Sequence, residues 1–131
     1  MDQFSNNASP PRVVKIYTCP HQGQSMVAQS EVTIVKDKGI MGDRYFLDHF
    51  DGFYNNSGGI LNGERAITLI TIEGIEEGNR ALQEAGGTPM RPEETRRNLL
   101  VSVGLHVLNT LVGHEFAVGE VRMRGVRFCG P

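Results

Sequence analysis

The chain has no tryptophan, only two cysteines and no long apolar run, and each absence removes a class of protein. Without tryptophan, and with only six Phe and three Tyr residues, it offers few surfaces on which nucleic-acid bases could stack. The formal net charge of −2 supplies no basic field for DNA or RNA. We therefore expect no nucleic-acid partner. We expect no membrane partner either, because a spanning helix needs about 20 consecutive apolar residues.

The two cysteines, Cys19 and Cys129, are too few for a disulfide framework, although a single bridge between them is left open. Residues 1–11 are polar, end in two prolines and lack both the basic and the apolar segment of a secretory signal. They predict a disordered N-terminal tail. The expectation is a cytoplasmic protein with reduced thiols.

The remaining composition favours a fold of turns and short strands. Only 39% of the residues are apolar and sixteen are glycine, in a chain whose 131 residues suit one domain, predicted over residues 12–131. A helix is predicted from Glu73 to about Ala85, with Thr71 as its N-cap and Gly86 beyond its end. A second, short helix is predicted at 105–112. Strands are predicted at 12–18, 31–36, 66–72, 98–103, 115–118 and 121–128, with 66–72 in the centre of the sheet because both of its faces are largely apolar.

These elements indicate a mostly β fold of the α+β class. We expect a curved or barrel-like sheet of about six to seven strands, with the two short helices at its rim.

Cys129 is the first candidate for chemistry, because it follows the last predicted strand. Three arginines precede it, Arg122, Arg124 and Arg127, and no acidic residue lies between Val121 and the end of the chain. Nearby guanidinium groups favour a thiolate, the form that acts as a nucleophile or metal ligand. Val126 and Phe128 are expected to face inward if Gly125 marks a bulge. The alternative for Cys129 is a buried, inert cysteine, the commoner state of an isolated thiol.

Two short polar pairs are candidates for anion binding. Asp43-Arg44 forms a tight turn in which the carboxylate could order the loop and present the guanidinium to a phosphate. Arg97-Asn98, preceded by Arg96, opens an apolar strand and could hold an anion in the same way. Both pairs could equally be a solvated ion pair and a charged loop.

The four histidines give no HExxH or paired CxxC spacing, so no metal site is predicted. Cys19-Pro20-His21 brings a thiol close to an imidazole in sequence only, which is a weak signal.

The order of these segments carries more information than any one of them. Taken collinearly, IMGDRY (40–45), AITLI (66–70), RNLLV (97–101), GL (104–105), LVG (111–113), VGEV (118–121) and FC (128–129) resemble the MOSC domain. That domain occurs at the C-terminus of molybdenum cofactor sulfurases, in stand-alone bacterial proteins and in amidoxime-reducing enzymes. The resemblance spans Val13 to Cys129.

The resemblance implies a β-barrel-like fold that binds the molybdenum cofactor (molybdopterin) or moves sulfur to a metal. Cys129 would be the persulfide carrier or the molybdenum ligand, and Asp43, Arg44, Arg97 and Asn98 would contact the cofactor. An enzyme activity of the sulfurtransferase or cofactor-dependent type is left open. The chain contains no pyridoxal-phosphate domain, so the expected partner is a sulfur donor of the cysteine desulfurase type or a molybdoenzyme.

Two alternatives stay open. The chain ends at Pro131, two residues after Cys129, where family members usually continue. This favours a degenerate binding or interaction module that retains the fold without the chemistry. The other alternative is a hydrolase or zinc enzyme that uses the histidines, for which no spacing argues.

Overall fold

The computed structural model describes residues 10–21, 23–36, 38–44, 46 and 66–126. The predicted tail at 1–11 lies almost entirely outside these ranges, as do Arg127, Phe128 and Cys129. The described elements, in chain order, are β1 (Arg12–Thr18), β2 (Val27–Gln29), β3 (Ile34–Val35), β4 (Gly39–Ile40), β5 (Leu69–Thr71), α1 (Ile72–Glu84), a 3-10 helix (Pro92–Thr95), β6 (Leu99–Ser102), a second 3-10 helix (Val107–Leu111), β7 (Glu115–Val118) and β8 (Val121–Arg124).

A four-stranded sheet in the order β2-β1-β6-β5 organises the described part of the chain. β1 is antiparallel to both of its neighbours, with Ile16 opposite Gln29 on one side and Leu99 on the other. A register shift between Val13 and Lys15 marks a bulge in its pairing with β6. β5 and β6 are parallel, which requires the crossover that α1 supplies. β5 is thus the last strand in the described order, and the prediction of a central position for it was wrong.

α1 confirms the predicted helix. The Thr71 hydroxyl accepts a hydrogen bond from the Gly74 amide at 2.9 Å, so this side chain caps the N-terminus as the sequence suggested. The helix ends before Gly86, which adopts a φ of 86°. Ile75 is its buried residue and faces the sheet.

Two small antiparallel sheets complete the described strands: β3 with β4, and the β7–β8 hairpin. The hairpin confirms the predicted pairing across Gly119-Glu120, and Gly119 has the positive φ (58°) that the first position of a type II′ turn requires. The predicted strand at 31–36 is shorter than expected, and the helix predicted at 105–112 is a 3-10 helix. The described chain is mostly β with one α-helix and several small sheets, and its strands do not form a closed barrel.

The hydrophobic core lies between α1 and one face of the four-stranded sheet. Its buried members come from the end of β1, the chain after it, α1 and β6: Tyr17, Cys19, Met26, Ile75 and Leu100. Three residues of β6 are buried in succession because the strand is paired on both sides, and this explains its continuous apolar run. A polar cluster, described next, adjoins this core where β1 ends and β6 begins.

Candidate functional site

Asp43 and Arg44 occupy a tight turn after β4, and both side chains are buried. Gly42 adopts a φ of 88°, a conformation that brings the chain sharply round before the pair. The Asp43 carboxylate accepts a hydrogen bond from the Cys19 amide at 2.9 Å and lies 3.3 Å from Arg44 Nη1. The Arg44 amide donates to the carbonyl of Cys19 at 2.6 Å. The turn is thereby held against the end of β1 by main-chain and side-chain bonds together.

The guanidinium of Arg44 extends from this turn to the segment that precedes β6. Its Nη2 donates to the carbonyl oxygen of Arg96 at 2.9 Å, and its Nη1 lies 3.4 Å from the sulfur of Met26. The side chain is only 4% exposed. Burial of a charged group at this depth requires a counter-charge and hydrogen bonds, and Asp43 and the Arg96 carbonyl provide them.

Asn98 occupies the same region from the other side and is fully buried. Its Oδ1 accepts from both the amide and the hydroxyl of Thr68, each at 3.1 Å, while its Nδ2 donates to the carbonyl of Tyr17 at 3.1 Å. The Asn98 amide is bonded to Thr68 Oγ1 at 3.0 Å. One amide side chain therefore joins the residue before β5 to β1, at the point where β6 begins.

These residues form one cluster, which we call the buried polar cluster: Cys19, Asp43, Arg44, Thr68 and Asn98. The structure brings three of the predicted site residues together in it, Asp43, Arg44 and Asn98. All three are buried, and each has partners within the protein. Their expected contacts with a cofactor stay a prediction, and the bonds seen here give them a structural role as well.

Arg96 and Arg97 are less buried than their neighbour Asn98. Arg96 adopts a left-handed conformation (φ 61°), and it is the one residue other than glycine with a positive φ among the described residues. Its Nη1 donates to the carbonyl of Gln24, and its Nη2 lies 4.0 Å from the Cys19 sulfur. Arg97 has an interaction of its own within the protein. Arg96 thus covers the buried thiol, and Arg97 is not established as an anion ligand.

Cys19 lies at the centre of the cluster and is fully buried. Its thiol donates to the carbonyl of His21 at 2.8 Å and lies 3.4 Å from the carbonyl of Gln24. Within the described residues Cys19 is a free thiol. Cys19, Thr68 and Met26 were hard to single out from the sequence, because none of them belongs to a spaced motif. A cysteine and a threonine adjoining apolar strands were the only available signals.

The predicted thiol Cys129 lies outside the described residues, and the structure says nothing of its surroundings. The strand that leads toward it is described as far as Val126. Arg122 and Arg124 of β8 are exposed, as the alternation predicted, with Val121 and Met123 on the other face. Val126 was expected to face inward, but it is 46% exposed. The alternation of half-buried and exposed residues continues through Gly125 to Val126, so no bulge at Gly125 turns Val126 inward. The Gly125 amide donates to the carbonyl of His114, and the Gly125 carbonyl accepts from the Gly113 amide.

Two groups near the core have shifted pKa values. Hydrogen bonds from Ser102 Oγ and from the amides of Val103 and Gly104 lower the pKa of Glu73, against a smaller opposing effect of burial. Burial raises the pKa of Tyr17, and the negative charge of Glu93 adds to this effect. Neither group belongs to the buried polar cluster, so these shifts do not mark it as a catalytic centre.

A shallow cavity of about 530 Å³ opens beside the Asp43-Arg44 turn. Thr18, Gln29 and Glu31 supply polar groups to its wall, and Met41 and Val27 supply apolar ones. None of the described residues that line it is an arginine or a lysine. Across the described ranges, no group of three or more His, Cys, Asp and Glu side chains could hold a metal ion. None of the described helices has the length and apolar character needed to cross a membrane.

Comparison with protein families, with characterised proteins and with solved structures finds no match to this chain.

Proposed function

We propose that this chain is a sulfur-carrier domain of the MOSC type, in which Cys129 bears a persulfide. The observation that supports the proposal is the bond from one segment of the resemblance, IMGDRY (40–45), to Arg96, which directly precedes another, RNLLV (97–101). The turn at Asp43-Arg44 and the strand start at Asn98 lie far apart in sequence, yet Arg44 reaches the carbonyl of Arg96 at 2.9 Å. Buried polar residues need specified partners, so a polar motif whose parts bond to one another is characteristic of a particular fold.

The proposal includes the finer fold, in which the described sheets form part of a barrel-like MOSC sheet. In this arrangement the buried polar cluster would stabilise the fold, and the last strand would position the thiol of Cys129. The arginines near the end of the chain, Arg122 and Arg124 among them, would favour the thiolate of Cys129. Molybdenum-cofactor binding through Asp43, Arg44 and Asn98 is not part of the proposal, because those side chains are buried and bonded within the protein.

The reaction is a transfer of one sulfur atom between thiols. The Cys129 thiolate attacks the outer sulfur of a persulfide on a donor protein, forming a new sulfur–sulfur bond. The donor's sulfur–sulfur bond breaks, and the donor cysteine leaves as a thiolate. The product is a persulfide on Cys129, with no net oxidation, ready for attack by an acceptor.

The test is sulfur loading by a cysteine desulfurase with L-cysteine as substrate, measured as the added mass of one sulfur atom on the intact chain. Wild type should gain this mass and Cys129→Ser should not. Cys19→Ala is the matched control, because Cys19 is fully buried, and it should load like wild type. Loading that survives Cys129→Ser and disappears in Cys19→Ala would overturn the assignment. Circular dichroism of each variant establishes that it is folded.

A second candidate is an interaction module that retains the fold without the chemistry. It is favoured by the structural role of Asp43, Arg44 and Asn98, because residues that stabilise a fold persist whether or not a reaction is catalysed. In that case Cys129 should react with iodoacetamide at the rate of a small free thiol and should accept no sulfur. A rate well above that value, together with loading, excludes the module.

A further inference from the structure

The N-terminal half of β1 has an open edge. β1 runs over seven residues, Arg12–Thr18, but β2 pairs only with its last three, from Ile16 to Thr18. β6 pairs with the opposite edge from Arg12 to Ile16. On the β2 side no described strand pairs with Arg12–Lys15, and Val13 is 38% exposed. Main-chain groups along about four residues are therefore available to another strand.

A cleft runs along this edge, with a volume of about 510 Å³. Its apolar wall consists of Val13, Val14 and Ile16 of β1 and Ala28 of β2, with Gln29 and Ser30 at the point where β2 ends. A strand advances about 3.3 Å per residue, so four residues of edge accept an extended segment about 13 Å long. The cleft lies in line with β2, and an added segment would continue that strand's position in the sheet.

The charge of the edge selects among possible occupants. Among the described residues that line the cleft, Lys15 is the one that carries a charge, and Arg12 at the start of β1 is exposed. If a second copy of the chain paired here in antiparallel fashion, these cations would face the same cations of its partner, and like charges on opposed strands are destabilising. A segment carrying carboxylates would instead place them beside Arg12 and Lys15.

We propose that the edge of β1 at Arg12–Lys15 binds an extended, acidic peptide segment of a partner protein by β-strand addition. Main-chain hydrogen bonds supply the affinity, and alternate side chains enter the apolar cleft. The carboxylates pair with Lys15 and Arg12 and set the preference for the partner. This site contains no residue of the buried polar cluster and does not depend on the proposed sulfur chemistry.

The probes are three fluorescein-labelled, capped pentapeptides, and binding to the full chain is followed by fluorescence anisotropy. The first alternates valine with glutamate, the second alternates valine with lysine, and the third is the first with methylated main-chain nitrogens. The acidic peptide should bind at least about tenfold more tightly than the basic one, and more weakly as salt is added. The methylated peptide should not bind, because it cannot donate main-chain hydrogen bonds. Amide hydrogen exchange should slow at residues 13–16 when the acidic peptide is present.

Lys15→Gln should weaken the preference for the acidic peptide, because Arg12 remains, and Lys15→Glu should abolish it, because the new carboxylate offsets the charge of Arg12. Lys36→Glu, an equal charge change at another exposed position, should leave the preference unchanged. The proposal is overturned if the acidic peptide does not bind, if the methylated peptide binds equally well, or if Lys15→Glu has the effect of Lys36→Glu. Dimerisation of the chain through this edge without peptide would also overturn it. The milder Lys15→Gln keeps the test valid if the charge reversal prevents folding.

Discussion

Arg44 Nη2 donates a hydrogen bond to the carbonyl oxygen of Arg96 at 2.9 Å, across 52 residues of sequence. This bond joins the turn after β4 to the segment that enters β6, and Asp43 neutralises the same guanidinium at 3.3 Å. A positive φ occurs near each end of the link, at Gly42, two residues before Arg44, and at Arg96 itself. The link holds together two segments that the sheet alone does not connect, so its removal should lower the free energy of unfolding of the whole fold.

Arg44→Met should destabilise the chain by about 3–5 kcal/mol, because it leaves the Asp43 carboxylate buried without its counter-charge. Urea unfolding monitored by circular dichroism measures the difference in the free energy of unfolding. The control is Arg80→Met, which breaks the exposed ion pair with Glu77, whose two side chains are 65% and 58% exposed. That change should cost less than about 1 kcal/mol. Equal effects of the two substitutions would contradict the buried role of Arg44.

Asn98→Ala tests the second half of the cluster. The substitution leaves the Thr68 amide and the Tyr17 carbonyl without a side-chain partner. Each buried polar group that loses its partner lowers the free energy of unfolding by about 1–3 kcal/mol. Asn79→Ala is the matched control, because Asn79 makes two hydrogen bonds to Met90, through its side-chain amide, in an exposed position where water can replace them. The expected order is a large loss of stability for Asn98→Ala and a small one for Asn79→Ala. Similar midpoints in urea for both variants would show that the buried network contributes little.

The sequence predicted those elements whose causes are local. β1 is a β-branched run bounded by proline, α1 has its Thr71 cap, and the hairpin has its glycine, so each of these was found close to its observed bounds. The strand predicted at 66–72 is shorter in the structure because contacts with other elements determine the conformation at both of its ends. Thr68 bonds to Asn98 instead of entering the ladder in full, and Ile72 starts the helix. No sequence period encodes either event.

The candidate site was predicted in part, for a related reason. The polar pairs at 43–44 and 97–98 were singled out from the sequence, but the sequence could not tell a surface anion site from a buried link. That distinction depends on burial, which follows from the packing of β1, β6 and the turn together. The sequence did not predict that Cys19 and Arg96 meet, because the two positions are 77 residues apart. In the structure the Cys19 sulfur lies 4.0 Å from Arg96 Nη2.

Glu73 gives a prediction for the dependence of stability on pH. Hydrogen bonds lower its pKa in the folded chain below the ordinary value of 4.5, so the folded state binds this proton less tightly than the unfolded state does. Its contribution is therefore fully present above pH 4.5 and is lost as the pH falls through the lower folded value. Glu73→Gln should destabilise the chain by about 1 kcal/mol at neutral pH, and the difference from wild type should shrink as the pH falls below 4.5.

Urea unfolding at several pH values measures the difference. Glu76→Gln, on an exposed position of the same helix, is the control and should run parallel to wild type. A difference between wild type and Glu73→Gln that stays constant from neutral to acid pH would exclude this carboxylate as the source.

The junction after β8 gives the last prediction, through Gly125. Its amide donates to the carbonyl of His114 at 3.0 Å, and its carbonyl accepts from Gly113 at 2.7 Å, so the main chain lies against the turn before β7. A Cβ at this position would overlap the carbonyl oxygen of Leu111, which is rigid main chain. Gly125→Ala should therefore displace the end of β8 and destabilise the chain by about 1–3 kcal/mol.

Gly78→Ala is the opposite case within the same chain. A Cβ there would meet nothing within 4 Å, and the position lies in the interior of α1, where alanine is favoured over glycine by about 0.5–1 kcal/mol. This variant should therefore raise the thermal midpoint, while Gly125→Ala lowers it.

Because Gly125 lies four residues before Cys129, the sulfur-loading assay on Gly125→Ala also reports whether the close approach at this junction positions the thiol. A variant that is destabilised but loads like wild type would limit the role of Gly125 to stability, whereas a loss of loading in the folded protein would show that the junction sets the position of Cys129.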